Sequence, residues 1–145
     1  MNYLYFIFLS CVTIYRTKAR IYTCEPIQDR TCFGKPLDYR YTTTELAEDS
    51  KNQEEIKKRL NEWYGLRFLP KCWQVLQPFL CDVYKPNCVN GTAEPPCRDQ
   101  CLATRKPCSV VETFRKDNPG WPDFLNCERF PANCNGTVSL FVLSM

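Results

Sequence analysis

Between Asp49 and Gly65 the apolar positions fall at Ile56, Leu60 and Trp63, the i, i+4, i+7 spacing of one helical face. The spacing predicts a helix over residues 50–63. Ser50 and Gln53 form a candidate capping box at its start, and Gly65 supplies a stop. Glu54–Lys58 and Glu55–Arg59 sit at i,i+4 on the polar side, where opposite charges support a helix. A second helical pattern covers residues 70–84, with Val75, Leu76, Phe79, Leu80 and Val83 apolar. Pro78 lacks a backbone donor, so a break or kink is expected near Gln77. A third pattern covers residues 96–114, with Cys97, Cys101 and Cys108 on one face and Pro107 disturbing the end. Residues 24–41 carry Pro26, Gly34 and Pro36 between aromatic residues and read as irregular chain or short strands. Beyond Asn118-Pro119-Gly120 the expectation is a loop held by Cys127 and Cys134.

The termini read differently. Tyr3 to Tyr15 is uncharged and mostly apolar. It is shorter than the roughly 20 residues that cross a bilayer, and it suits the apolar stretch of a signal peptide. The reading assigns residues 1–19 to that signal, residues 20–137 to one domain, and residues 138–145 to an apolar tail of a truncated or divergent terminus.

Cysteine usage changes the picture most. The chain has 145 residues and 11 cysteines. Such a density points to an oxidising compartment, because cytosolic thiols are kept reduced. Removing the signal takes Cys11 with it and leaves ten cysteines, an even set that can close completely. Zinc is the rival reading. Structural zinc sites use repeated close pairs, often completed by histidine. Here Cys97 and Cys101 alone have that spacing, and the chain has no histidine. Disulfides are therefore expected, and no metal. The sequons Asn90-Gly91-Thr92 and Asn135-Gly136-Thr137 suit the secretory pathway and mark Asn90 and Asn135 as glycosylation candidates.

Charge excludes one class of partner. Three of the basic residues, Arg16, Lys18 and Arg20, precede Tyr22, and the remainder balances to about zero. A neutral domain lacks the basic footprint of a nucleic-acid binder. Enzyme chemistry is disfavoured too. There is no histidine base, no nucleophile elbow and no phosphate loop. No catalytic residue and no cofactor are assigned.

The ten-cysteine spacing resembles the Frizzled-type cysteine-rich domain. Gly65-Leu66-Arg67, Pro70-Lys71-Cys72-Trp73, Gln77-Pro78-Phe79-Leu80-Cys81 and Val83-Tyr84-Lys85-Pro86 are similar to the Smoothened version of it, as are Ala103–Cys108, Gly120–Leu125 and Arg129-Phe130-Pro131. One departure is Cys97, which Smoothened domains commonly lack; the Pro96–Cys101 segment is Frizzled-like. The resemblance implies a small, disulfide-rich, mostly α fold with a few short strands. It implies five disulfides, Cys24–Cys88, Cys32–Cys81, Cys72–Cys108, Cys97–Cys134 and Cys101–Cys127, which spacing alone does not determine.

The resemblance also implies an apolar groove for a sterol, whose hydroxyl is held by an acidic side chain. The matching positions are Asp49 for the hydroxyl, and Trp63, Gly65, Leu66, Pro122 and Phe124 for the wall. A flat apolar ligand suits such walls with a few orienting polar groups. Each residue has a plainer reading. Trp63 and Leu66 are also ordinary core residues, and Asp49 also suits the positive end of a helix. Asn61 and Glu62 are more polar than a fatty groove prefers. The function implied is a sterol- or lipid-binding extracellular sensor of a Smoothened-like receptor in Hedgehog signalling, at the plasma membrane or secreted alone. The alternative is a Frizzled or secreted Frizzled-related module that binds lipidated Wnt proteins through their fatty acyl chain. The partners implied are a sterol or other lipid, a lipidated signalling protein, and the seven-transmembrane remainder of a receptor.

Overall fold

The computed structural model describes residues 20–114, 120–132 and 134. The apolar run at the N-terminus, the sequon at Asn135 and the tail at 138–145 lie outside the described residues.

Among the described residues six two-residue strands form three antiparallel pairs. Strand β1 (Glu25–Pro26) pairs with β4 (Tyr41–Thr42), and β2 (Thr31–Cys32) with β3 (Lys35–Pro36). The third pair, β5 (Cys88–Val89) with β6 (Thr92–Ala93), follows the second helix. Both tight hairpins turn on two residues with positive φ: Phe33 (50°) and Gly34 (79°), then Asn90 (51°) and Gly91 (79°). This is the turn chemistry whose twist matches that of paired strands. A phenylalanine in the left-handed region is strained. Its ring compensates by packing edge-on against Trp73 at 4.8 Å and stacking with Tyr64 at 6.1 Å.

Helix α1 (Gln53–Trp63) buries Ile56, Leu60 and Trp63, the face that the periodicity marks. Its cap differs from the expectation. Asn52 is the extended residue, and its side chain accepts from the Glu55 amide at 2.9 Å. Glu55 Oε2 in turn accepts from the Lys51 amide at 2.7 Å. Ser50 is buried and donates to Asp49, while Gln53 ties the helix to the N-terminal segment through Gln28 and Pro26. Arg59 accordingly pairs with Glu62 rather than Glu55, and Glu54 and Lys58 form no ion pair among the described residues.

Helix α2 (Pro70–Tyr84) runs unbroken through Pro78. The proline costs one backbone hydrogen bond, but Leu76, Phe79, Leu80 and Val83 are all fully buried around it. Disulfides anchor the helix on either side, at Cys72 and Cys81. The third pattern is divided. Helix α3 (Arg98–Arg105) and the short α4 (Val111–Phe114) are separated by the turn that holds Pro107 and Cys108. Two 3-10 turns, Asp123–Leu125 and Cys127–Arg129, replace the expected loop.

The core is continuous from α1 through α2 to α3 and the C-terminal turns. Five disulfides join Cys24 to Cys88, Cys32 to Cys81, Cys72 to Cys108, Cys97 to Cys134 and Cys101 to Cys127. These are the pairs that the resemblance implies. Among the described residues no helix is long and apolar enough to cross a membrane, and no cluster of potential metal ligands occurs.

One half-buried carboxyl carries a pH prediction. Asp82 on α2 accepts from Gln100 Nε2 of α3 at 3.1 Å. Burial raises its carboxyl above the ordinary aspartate value of 3.8. The native state therefore holds this proton more tightly than the unfolded chain does. The linked stability is complete below the ordinary value and is lost as pH rises through the raised one. Asp82→Asn, uncharged at every pH, is expected to raise the urea midpoint at neutral pH and to give no gain in acid. A loss at neutral pH would mean that the carboxylate itself is needed there.

Candidate functional site

The six residues implied for the groove do not sit alike. Trp63 closes α1 and is 6% exposed; Leu66, on the 3-10 turn that follows, is 2% exposed; Phe124 is 8% exposed. Pro122 is buried, and Gly65 is exposed. Burial alone thus supports the plain core reading of Trp63 and Leu66. Polar geometry singles out a different set.

Tyr84, the last residue of α2, links three of the six. Its ring is fully buried and meets Phe124 edge-on at 6.0 Å. Its hydroxyl accepts from Trp63 Nε1 at 3.0 Å and donates to Asp49 Oδ2 at 2.8 Å. Burial and the neighbouring Asp49 carboxylate push the phenol far above its usual range, so it stays protonated and keeps donating. A buried indole N–H and a buried phenol each need a partner, and here each satisfies the other.

Asp49 stands at the outer end of this chain. Its side chain is 18% exposed. Oδ1 accepts from Ser50 Oγ at 3.1 Å, and Arg59 Nε lies 3.7 Å from Oδ2. An ionised carboxylate offers about four lone-pair sites, so these contacts leave acceptor capacity for a ligand hydroxyl. The structure brings Asp49, Trp63 and Phe124 together through Tyr84. Among the described residues no side-chain hydrogen bond ties Gly65, Leu66 or Pro122 to them.

Sequence reasoning missed Tyr84 as a site residue. A sequence signal existed: a tyrosine at the end of an apolar helix face needs a buried partner for its hydroxyl. Both partners lie far away in the chain, 21 residues off for Trp63 and 35 for Asp49, so no local pattern names them.

A separate open depression of about 300 Å³ is lined by Asp29, Thr31, Phe33, Lys57, Tyr64 and Lys85, among others. None of the six groove candidates lines it. Its floor is structural. Lys85 Nζ donates to the carbonyls of Asp29 at 3.0 Å and Thr31 at 2.7 Å, pinning the β2–β3 hairpin to the end of α2.

The profile of the Fz domain matches residues 24–134. The protein smoothened of Danio rerio is 50% identical over 119 residues, which are 80% of this chain and 14% of that protein. The chain therefore spans about one seventh of that relative's length. The crystal structure of a Smoothened cysteine-rich domain superposes with a TM-score of 0.73 at 50% identity, covering 79% of this chain and 97% of that one. The Xenopus Smoothened cysteine-rich domain in complex with cyclopamine superposes at 0.70 with 44% identity, covering 77% and 97%. From Cys24 to Cys134 the chain belongs to the Fz domain family, with Smoothened cysteine-rich domains among its homologues.

Proposed function

We propose that the chain is the extracellular sterol- or lipid-sensing domain of a Smoothened-like receptor in Hedgehog signalling. One observation carries the reading: a part-exposed carboxylate, Asp49, is held in place by a buried tyrosine and tryptophan beside the apolar ring of Phe124. This pairs an anionic acceptor with an apolar wall, the combination that binds a flat hydrocarbon carrying one hydroxyl. The similar Xenopus domain, crystallised with cyclopamine, supports the same class of ligand.

The chemistry follows from the residues. Asp49 accepts the ligand hydroxyl proton in a charge-assisted hydrogen bond. Tyr84 fixes the carboxylate by donating to its other oxygen, and Trp63 fixes Tyr84. The polar end is thus organised before the ligand arrives, which lowers the cost of binding. No bond is made or broken, and the domain acts by binding.

The test is a titration of the secreted domain with a fluorescent sterol and, separately, with a palmitoleoylated peptide. Saturable sterol binding that a non-fluorescent sterol displaces is the expected result. Saturable acyl binding without a sterol response would replace this reading with a Wnt-binding Frizzled-type module. Mapping transcripts beyond Val138 tests the receptor half: membrane-spanning segments downstream are expected, and a stop codon there would indicate a domain secreted alone.

A further inference from the structure

The β5–β6 hairpin carries a second feature, unconnected with Asp49. Cys88 and Ala93 point inward, at 1% and 8% exposure. By strand alternation Val89 and Thr92 point outward, and Val89 is 55% exposed. Ile21, 84% exposed, lies against the same turn. Its Cγ2 would come within 2.9 Å of a Cβ at Gly91, and the adjacent Tyr22 amide donates to the Gly91 carbonyl at 2.8 Å. Two branched aliphatic side chains are therefore left in solvent at one hairpin tip.

The turn itself explains Asn90 and Gly91, since both central residues need positive φ. It does not explain the exposed aliphatics beside them. The sequon does. Asn90 and Thr92 are exposed, and among the described residues the Asn90 carboxamide makes no hydrogen bond. A chain in which ten cysteines are all disulfide-bonded belongs to the compartment where asparagine is glycosylated.

We propose that Asn90 carries an N-linked glycan whose first sugars cover Ile21 and Val89, making this hairpin tip a shielded face. The donor is a lipid-linked oligosaccharyl pyrophosphate. Asn90 Nδ2 attacks the anomeric carbon and an N–C bond forms. The C–O bond to the pyrophosphate breaks, the lipid pyrophosphate leaves with the electron pair, and the amide gives up one proton. Modification occurs during synthesis, and the folded hairpin then presents the sugar outward. The proposal needs the secretory route but not the sterol reading, so the two fail separately.

The experiment uses the chain secreted from eukaryotic cells with Asn135→Gln, so that Asn90 holds the one remaining sequon. Peptide mapping after enzymatic release in heavy-oxygen water is expected to show Asn90 converted to labelled aspartate. Trimming the folded protein to its first sugar, or releasing the glycan entirely, is expected to raise binding of an apolar fluorescent dye severalfold. Val89→Ser should cancel that rise. Asn90→Gln would put glutamine at positive φ and strain the turn, so the control variant is Thr92→Val. It keeps the Asn-Gly turn and a β-branched strand residue while deleting the sequon. Thr92→Val is expected to behave like the released protein. An unmodified Asn90 in secreted protein overturns the proposal. An occupied Asn90 whose release leaves dye binding unchanged overturns the shield.

Discussion

Replacing Cys72 and Cys108 together by alanine is expected to lower the unfolding free energy by about 4 kcal/mol, the loop-closure term for such a ring. The bridge closes a loop with a sequence separation of 36 and fastens α2 to the turn after α3. A loss of that size lowers the thermal midpoint by roughly 15 °C or more in a domain of this length. The matched control is Cys97→Ala with Cys134→Ala, whose separation is 37. Chain entropy alone predicts the same loss for both. Packing predicts otherwise, because Cys72 and Cys108 are 2% and 0% exposed whereas Cys97 and Cys134 are half-buried. Deleting buried sulfur leaves unfilled space in the core, which adds about 1 kcal/mol to the first pair. Calorimetry on both double variants checks this. Equal losses would show that the frame acts on the unfolded chain alone. A negligible loss for Cys72 and Cys108 would show that helix packing holds α2 to α3 without the bridge.

This division between covalent frame and packed core also accounts for how much the sequence reveals. The face of α1 is legible because Ile56, Leu60 and Trp63 repeat at the helical period, and burial follows that period. The cap is not legible. Ser50 and Asn52 are both good capping residues, and the choice depends on the backbone turning extended at Asn52, while Ser50 is drawn to Asp49. Pro78 misleads for a related reason. Its local cost is real, but the surrounding side chains and the two bridges outweigh it. The disulfide pairs became nameable through the family resemblance, since spacing leaves many pairings open.

The candidate site was half legible. Asp49, Trp63 and Phe124 were named by resemblance, yet the group that joins them, Tyr84, sits at the end of a helix whose pattern speaks only of burial. A contact across 35 residues is a property of the folded chain. Gly65, Leu66 and Pro122 remain proposals of the resemblance, with no polar geometry that adds to them.

Asp49→Ala is expected to weaken sterol binding about tenfold to a hundredfold while leaving the domain folded. The estimate comes from a hydrogen bond to a charged acceptor, worth about 1.5–3 kcal/mol, with each 1.4 kcal/mol a factor of ten. Stability should fall less than affinity, because Asp49 is partly exposed and Tyr84 keeps its bond from Trp63. The ligand supplies the second arm of a cycle. A sterol lacking its hydroxyl should bind the native domain as weakly as the parent sterol binds the alanine variant, and the variant should not distinguish the two. Tyr84→Phe separates positioning from contact. It removes the donor to Asp49 and strands the Trp63 N–H, so it should cost about 1–3 kcal/mol of stability through the unpaired buried group. Its affinity loss should be smaller than that of Asp49→Ala, and it should still prefer the hydroxylated sterol. Unchanged affinity in Asp49→Ala would remove the carboxylate from the site. A variant that still told the two sterols apart would place the hydroxyl against some other group. Loss of discrimination in Tyr84→Phe alone would make the phenol, rather than the carboxylate, the ligand's partner.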